Sequence, residues 1–238
     1  MSARADKNGS GLDTIAWRQM LAENASAMGI LLTPLQIEQF TIYAEELIKW
    51  SRRINITAIL APDEIVAKHF MDSLSAADRF AQGQRVLDIG TGAGFPGLPL
   101  KLHHPSLSMT VIDGSRKKIN FVSHLIRRLA LQDICAIQIR SEQLRSDAAH
   151  LQFYDAIVSR ALCSLSQLVE QAIQFIKPDG RILAWKGARA GKEIEDLRAA
   201  ANRNKAFSGR AMRIEHKTYR LPGFSEKRSL VIVSFQTN

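Results

Sequence analysis

The sequence predicts an α/β fold, a seven-strand sheet covered by helices and preceded by an N-terminal helical extension. From residue 83 onward, short β-rich runs alternate with helical stretches, which is the pattern of a parallel sheet with a helix in each crossover. The last two β-rich runs lie too close together for a crossover helix, so they predict an antiparallel hairpin at the sheet edge. The residues before 83 show only helical periodicity.

The helical extension follows a polar N-terminus. Residues 1–14 lack the apolar segment of a signal peptide, and we expect a flexible tail there. Thr33 and Pro34 predict a helix start, because a hydroxyl caps the helix and proline suits its first turn. A second helix is predicted from Pro62 to Phe80. The predicted division is a tail (1–14), a helical extension (15–82) and an α/β domain (83–238), the last two of which could share one core.

The α/β domain is predicted element by element. Its parallel strands are RVLDI, SMTVID, ICAIQI, YDAIVS and RILAW. The stretches PGLPLKLHH, SRKKINFVSHLIRRLA, SLSQLVEQAIQFI and KEIEDLRAAANRN are the helices around them. The hairpin consists of MRIEHKTYRL and SLVIVSF, joined by PGFSEKR. In such a sheet, ligands bind beyond the carboxyl ends of the parallel strands.

The charge of the chain favours a polyanionic partner. The 238 residues carry a formal net charge of +9. Between Lys177 and Arg228 there are fourteen Lys and Arg residues against six Asp and Glu residues, so the excess is concentrated in the last quarter. Nucleic acid fits this distribution best and an anionic membrane surface second. The alternative is a set of solvated lysines with no partner.

The cysteines and the hydropathy exclude several protein classes. Two cysteines, Cys135 and Cys163, form no CxxC pair or Cys/His cluster, so the sequence predicts neither a disulfide framework nor a metal site. Cys163 is expected in the core. No apolar run approaches the length of a membrane span. We expect a monomer in a reducing cytoplasm.

The stretch VLDIGTGAGFPG, residues 86–97, predicts a cofactor-binding loop. Gly90, Gly92 and Gly94 follow a predicted strand and precede a predicted helix, where glycine lets the backbone approach a ligand closely. Asp113 ends the next strand, 21 residues after Gly92, where a ribose-binding carboxylate is expected. These features fit a dinucleotide and S-adenosylmethionine equally well.

Asp88 favours S-adenosylmethionine. It lies two residues before the first glycine, at the end of the strand. A carboxylate there would repel a pyrophosphate but suits a ligand with a positive amino group. The pattern Asp88-x-Gly90-x-Gly92-x-Gly94 resembles motif I of class I (Rossmann-like) methyltransferases. A dinucleotide loop and a turn without any ligand are the alternatives.

Two further strand ends are expected at the same site. Ser141 and Glu142 follow the third strand, where methyltransferases of this class contact the adenine. Arg160 follows the fourth strand and is expected beside the reacting methyl group. Glu142 could instead be a helix-cap charge, and Arg160 could form a surface ion pair.

The sequence lacks the motifs of two other acceptor chemistries. The fourth strand is followed neither by Asn/Asp-Pro-Pro-Tyr, typical of methylation at exocyclic amino groups, nor by the Pro-Cys nucleophile used for pyrimidine C5. Guanine N7 has a free lone pair and needs no deprotonation, so alignment and exclusion of water suffice. We therefore expect Arg160 to act by positioning, without a general base. Small-molecule and protein acceptors stay open.

Several segments together resemble the RsmG/GidB family, the bacterial 16S rRNA guanine-N7 methyltransferases. The segments lie between about residues 40 and 235: Asn55-Ile56-Thr57, His69-Phe70-Met71-Asp72-Ser73, Asp88 to Gly97, Ser159-Arg160-Ala161, Lys186-Gly187 and Arg228-Ser229-Leu230-Val231. The resemblance implies methyl transfer from S-adenosylmethionine to N7 of a guanine in 16S rRNA of the small ribosomal subunit. It also implies that the following residues contact the cofactor: Gly90, Phe95, Ser141, Glu142 and Arg160. Phe95, Ser141 and Ala93 depart modestly from the family pattern.

Basic and polar residues in two regions are candidates for RNA binding. The segment Lys49 to Thr57 joins cations to a tryptophan, which could hold phosphates and stack on an unpaired base. A helix C-terminus with favourable cations and a core tryptophan is the alternative. The expected RNA contacts are Arg52, Arg53, Asn55, Thr57, Lys186, Arg189 and Arg228. His69 is expected to be structural, and Lys186 could be a solvated charge.

Two other functions compete with the methyltransferase. One is an RNA-binding module on a degenerate methyltransferase fold, which the intact Asp88, glycine loop, Asp113 and Arg160 disfavour. The other is a small-molecule or protein methyltransferase, which the basic C-terminal region disfavours.

Overall fold

The computed structural model describes residue 12 and residues 14–201 and 210–237. The α-helices are α1 (Ile15–Ala27), α2 (Pro34–Ile54), α3 (Pro62–Glu64), α4 (Asp72–Leu74), α5 (Gly97–His103), α6 (Arg116–Arg128), α7 (Ser141–Leu144), α8 (Leu165–Ala172) and α9 (Ala190–Ala201). The strands are β1 (Arg85–Ile89), β2 (Ser108–Asp113), β3 (Ile134–Gln138), β4 (Tyr154–Arg160), β5 (Ile176–Lys186), β6 (Arg210–Arg220) and β7 (Lys227–Thr237).

The strands form one sheet with the order β3-β2-β1-β4-β5-β7-β6. The pairs from β3 to β5 are parallel, and β7 lies antiparallel between β5 and β6. The predicted α/β class and the hairpin at the sheet edge are thus confirmed. The strand order reverses direction at β1 and β4, and this switch point is where open α/β sheets bind ligands.

The N-terminal helices begin where the sequence provides caps. The Thr33 hydroxyl accepts the Gln36 N–H, and the Gln36 amide oxygen accepts the Thr33 N–H, which together form a capping box before Pro34. Thr14 caps α1 through the N–H of Trp17. Of the predicted tail, only Leu12, whose side chain is buried, and Thr14 belong to the described residues.

The helix predicted from Pro62 to Phe80 is broken into shorter pieces. After α3 the chain forms a π-helix over Ile65–Met71, then α4, and finally a 3₁₀ turn over Ala77–Arg79. The hydroxyl of Ser75 donates to the Asp72 carbonyl, and such side-chain bonds compete with the helical ladder. In the π-helix, the Lys68 carbonyl accepts a bond from Arg160.

Two C-terminal helices differ in length from their predictions. The stretch SLSQLVEQAIQFI forms α8 only as far as Ala172, because its last residues turn back and β5 begins at Ile176. A register shift between Tyr154 and Ala156 accommodates this longer strand. Helix α9 ends at Ala201, and the rest of the predicted KEIEDLRAAANRN helix lies outside the described residues.

One hydrophobic core joins the helical extension to the sheet. Buried side chains of α2 and the π-helix, such as Phe40 and Phe70, belong to the same cluster as Leu98 of α5 and Val111 of β2. A second cluster under α8 and α9 covers the other face of the sheet. The packing therefore continues across residue 83, the predicted boundary between the extension and the α/β domain.

Candidate active site

The loop between β1 and α5 is shaped by glycines and held by a tyrosine. Gly90, Gly92 and Gly94 have φ angles of +74°, +59° and +94°, which side chains disfavour. The Tyr43 hydroxyl of α2 donates to the Ala93 carbonyl at 2.6 Å. A Cβ atom on Gly94 would lie 2.6 Å from the same hydroxyl. Tyr43 therefore fixes the loop from the side of the helical extension.

Asp88, at the end of β1, anchors this loop from the interior of the protein. Its carboxylate is fully buried, and Oδ2 accepts the Thr91 hydroxyl at 2.7 Å and the Gly97 N–H at 2.9 Å. Oδ1 is buried with no hydrogen-bond partner among the described residues. Burial raises the pKa of Asp88 to about 7, although both hydrogen bonds oppose the rise. Asp88 thus joins β1 to the first turn of α5 and retains one unused oxygen.

Asp113 links the ends of two strands. Oδ2 accepts the Gly92 N–H at 3.0 Å, and Oδ1 accepts the Ser115 N–H at 2.8 Å. Each carboxylate oxygen has capacity for a further hydrogen bond. Asp113 therefore holds the glycine loop against β2 and can still accept bonds from hydroxyl groups of a ligand.

A cleft of about 510 Å³ opens beside these strand ends. Its walls come from the ends of β1 and β2, the start of α7 and the loop after β4. The lining residues singled out by the sequence are Gly90, Asp113, Ser141 and Glu142, and the loop after β4 adds Leu162 and Cys163. Gln171 of α8 accepts a bond from the Ser141 hydroxyl and donates to Glu142. Five other residues expected to bind the cofactor do not line the cleft: Asp88, Gly92, Gly94, Phe95 and Arg160. Of these, Asp88 supports the glycine loop from within the protein.

Arg160 points away from the solvent and into the helical extension. Nη1 donates to the Lys68 carbonyl at 2.9 Å and lies 3.3 Å from Oδ2 of Asp72. Nη2 lies 3.1 Å from Nδ1 of His69, and the guanidinium is 4.8 Å from the ring centroid of Phe95. The ion pair considered for Arg160 does exist, but its partner Asp72 is almost completely buried.

His69 is a buried neutral ring between Arg160 and Thr57. It stacks on Phe95 with centroids 4.2 Å apart, and Nε2 lies 3.0 Å from the Thr57 hydroxyl. Burial, with smaller contributions from the nearby charges of Arg160 and Arg228, lowers the pKa of His69 to about 3. These contacts agree with the structural role expected for His69.

Three residues of this site were not singled out by sequence reasoning. Asp72 accepts the Tyr219 hydroxyl at 2.7 Å on Oδ1 while Oδ2 faces Arg160, and Tyr43 holds the glycine loop. Asp72 lies within a segment that carries the family resemblance, which was the available signal. Nothing local in the sequence marks Tyr43 or Tyr219, because their partners are distant along the chain.

The first group of candidate RNA contacts lies at the end of α2. Arg52 and Arg53 are exposed in its last turn, and Asn55, also exposed, ends the helix with φ of +43°. Trp50 instead packs on Phe121 and His124 of α6, as the core alternative expects. Thr57 is half-buried against His69.

The second group lies around another cleft, next to the first. Lys186 and Arg189 line this cleft of about 610 Å³. Arg189 is exposed, whereas the Lys186 ammonium is largely buried, donates to the Cys163 carbonyl and lies 2.8 Å from Glu193. Arg228 is half-buried near His69. Cys163 is half-buried and lines both clefts, so its predicted place in the core is wrong.

Among the described residues, no three His, Cys, Asp or Glu side chains come together as a metal site. No helix in that part of the chain is long and apolar enough to cross a membrane.

Solved structures with the same fold include several methyltransferases. The M. jannaschii protein TYW2, solved in complex with AdoMet, superposes with a TM-score of 0.53 at 15% identity, over 70% of this chain and 77% of that one. A ribosomal protein L11 methylase from Lactobacillus delbrueckii gives a TM-score of 0.54 at 17% identity, over 71% of this chain and 79% of that one. At these identities the likeness establishes the fold, which is that of class I methyltransferases.

Comparison of sequences gives a narrower assignment. Proteins named ribosomal RNA small subunit methyltransferase G match most of the chain: one from Geobacter sp. (strain M21) is 38% identical over 91% of this chain and 96% of its own length. One from Bacillus cytotoxicus is 35% identical over 91% of this chain and 88% of its own length. The family model GidB, described as rRNA small subunit methyltransferase G, matches residues 36–220. The chain therefore belongs to the GidB family, rRNA small subunit methyltransferase G.

Proposed function

We propose that this protein transfers the methyl group of S-adenosylmethionine to N7 of a guanine in 16S rRNA of the small ribosomal subunit. One observation carries the proposal: Gly90, Asp113 and Glu142, from three separate strand ends, line one cleft of cofactor size at the switch point of a GidB-family sheet. We further propose that the protein acts as a cytoplasmic monomer and needs no metal.

The cleft fits the parts of S-adenosylmethionine. Asp113 is placed to accept bonds from ribose hydroxyls, because each oxygen has so far accepted one N–H. Ser141 and Glu142, at the start of α7, would face the adenine, and the glycine loop the amino-acid end. Asp88 lies behind that loop and carries a negative charge when the pH is above its pKa of about 7. When bound, the cofactor supplies an electrophilic methyl group.

Arg160 is assigned a positioning role beside the methyl-transfer site. It directly follows Ser159, whose hydroxyl donates to the Ile89 carbonyl next to Gly90. The Arg160 side chain holds the π-helix and the Phe95 ring in place. Neither nearby basic group is free to take a proton, because Nδ1 of His69 and Oδ2 of Asp72 both face Arg160. An acceptor with a free lone pair, such as guanine N7, needs no base.

RNA would approach over the carboxyl edge of the sheet. Helices α2 and α6 are antiparallel, since Glu46 pairs with His124 and Trp50 packs on Phe121. The end of α2 therefore lies by the start of α6, which follows the carboxyl end of β2. Arg52 and Arg53 are exposed toward the carboxyl edge of the sheet, and we assign them to phosphate binding because exposed cations can bind phosphates.

Two experiments test the proposal. Calorimetric titration with S-adenosylmethionine should show saturable binding, and absence of heat at every concentration would favour the non-enzymatic RNA-binding module. Small subunits from a strain lacking the enzyme should then accept one labelled methyl group, located by mass mapping. A methyl group on any atom other than guanine N7 would refute the acceptor. Methylation of a small molecule or protein instead would support the third candidate.

A further inference from the structure

The tautomer of His69 follows from its partners. Nδ1 faces Nη2 of Arg160, and a guanidinium offers only N–H donors, so Nδ1 must accept. The lowered pKa of His69 leaves the ring with a single proton at neutral pH. That proton is therefore on Nε2, which donates to the hydroxyl oxygen of Thr57 at 3.0 Å.

This bond fills the acceptor capacity of the Thr57 hydroxyl. Its oxygen also accepts the Ile59 N–H at 3.1 Å. A hydroxyl oxygen has two lone pairs, so with both occupied the group can only donate. Within the described part of the chain, no hydrogen bond uses the Thr57 proton, and the side chain is half-exposed. The site thus presents a hydroxyl donor without an acceptor of its own.

Thr57 lies close to the place assigned to methyl transfer. Only the His69 ring separates its hydroxyl from Arg160, and that ring is stacked on Phe95 of the glycine loop. The charge of Arg228 also acts on His69. The Thr57 hydroxyl offers an unused hydrogen-bond donor at this position, and Arg228 adds a positive charge nearby. A substrate edge made only of acceptors would complement them.

Guanine has such an edge on the side of N7. Guanine presents N7 and O6, both acceptors, whereas adenine presents N7 and an amino donor. We infer that the Thr57 hydroxyl donates to O6 of the acceptor guanine while N7 receives the methyl group. Thr57 is then a specificity-determining residue, since adenine would place two donors face to face. The inference rests on the proposed function.

The test separates O6 recognition from general damage to the site. Small-subunit rRNA is prepared by ligation with guanine, inosine or 2-aminopurine at the methylated position and assembled into subunits. Inosine keeps O6 and N7, while 2-aminopurine keeps N7 but lacks O6. Single-turnover methylation is measured for the wild type, Thr57→Val, which is nearly isosteric but has no hydroxyl, and Thr57→Ser, which retains it.

The wild type should methylate inosine about as fast as guanine and 2-aminopurine about tenfold more slowly, the worth of one hydrogen bond. Thr57→Val should lose about tenfold on guanine and inosine but stay within about twofold on 2-aminopurine. Thr57→Ser should keep the wild-type pattern. Calorimetric affinity for S-adenosylmethionine should be equal in all three proteins.

Two results would overturn the inference. One is an equal slowing of Thr57→Val on guanine and 2-aminopurine, which indicates a structural role. The other is a wild-type enzyme that does not distinguish inosine from 2-aminopurine, a result that needs no variant to fold. If the wild type leaves guanine N7 unmethylated, the proposed function itself fails. Normal guanine methylation without O6 dependence removes only the role of Thr57.

Discussion

At the scale of single residues, Arg160 connects the most parts of the site. We expect Arg160→Ala to lower kcat/KM at least about tenfold, or about 1.4 kcal/mol, because Phe95 and the π-helix lose their common support. It should also lower the free energy of unfolding by about 3 to 5 kcal/mol, since the buried Asp72 carboxylate loses its cation. Kinetics and denaturant unfolding of the same protein measure the two effects.

Arg85→Ala is the matched control for Arg160→Ala. Arg85 also lies over an aromatic ring, Phe153, at 4.4 Å, but at the opposite edge of the sheet. The Arg85→Ala variant should have the same kcat/KM as the wild type. Unchanged kinetics in Arg160→Ala would show that Arg160 is not at the methyl-transfer site.

His69 should make stability depend on pH. The folded ring has a pKa of about 3 against 6.5 ordinarily, so below pH 6.5 the unfolded chain binds the extra proton. The contribution of His69 to stability is thus complete above pH 6.5 and is lost as pH falls toward 3. The unfolding free energy of the wild type minus that of His69→Gln should rise by up to about 1.4 kcal/mol per pH unit between pH 4 and 6.

Asp88 provides a control with the opposite sign. Its folded pKa of about 7 exceeds the ordinary 3.8, so the folded state binds the extra proton between these values. Stability from Asp88 should fall as pH rises through this range. The unfolding free energy of the wild type minus that of Asp88→Asn should therefore decrease as pH rises, in the range where the corresponding His69 difference increases. A flat His69 difference would mean that the ring is not buried as a neutral group.

At the scale of elements, the glycine loop depends on a helix outside the α/β domain. We expect Tyr43→Phe to lower the free energy of unfolding by about 1 to 3 kcal/mol, because the buried Ala93 carbonyl loses its donor. The affinity for S-adenosylmethionine should fall with it, since the loop is no longer held. Urea unfolding and calorimetry measure the two changes.

Tyr154→Phe removes the same hydroxyl elsewhere. The Tyr154 hydroxyl bonds His150, and Tyr154 begins β4 at the amino edge of the sheet, opposite the edge that carries the glycine loop. This variant should bind S-adenosylmethionine with wild-type affinity. A loss of affinity as large as that of Tyr43→Phe would show that loop anchoring is not the cause.

The elements also show where local sequence signals are sufficient. The helix start at Thr33 and the existence of the seven strands follow from a cap and from short β-rich runs, and both were predicted correctly, although β5 begins earlier than predicted, at Ile176. The helix expected from Pro62 to Phe80 was wrong, because apolar periodicity alone does not distinguish an α-helix from the π-helix at Ile65–Met71. That π-helix is fixed by the distant Arg160, which bonds the Lys68 carbonyl.

At the scale of the whole molecule, the two ends of the antiparallel pair α2 and α6 carry comparable charge. Arg52 and Arg53 lie at the carboxyl edge, and Arg127 and Arg128 end α6 at the amino edge. We expect Arg52→Ala/Arg53→Ala to weaken binding to small-subunit rRNA and to reduce the slope of log K against log salt by up to about 1.4, or 0.7 for each lost contact. Filter binding over a salt series measures this slope.

Arg127→Ala/Arg128→Ala loses the same two charges and should leave the slope unchanged. Equal changes in both double variants would indicate binding through net charge alone. A change only in the amino-edge variant would place the RNA on the opposite side of the sheet from the cleft.

The α/β class, the edge hairpin and the glycine loop could all be predicted from the amino-acid sequence alone. These features are local, because the β-rich runs, the glycine spacing and the acidic residues at strand ends each depend on a short segment of the sequence. Asp88, Asp113 and Arg160 could be placed because the carboxyl ends of parallel strands meet at one edge.

The contacts between side chains that are distant in sequence depend on how the chain packs in three dimensions. Arg160 bonds Asp72 and His69, more than 80 residues away, Tyr43 supports Ala93, and Lys186 is paired with Glu193 rather than open to phosphate. Periodicity records that a residue is buried but not its partner, and the partner sets the protonation, the donor role and the remaining charge of each group.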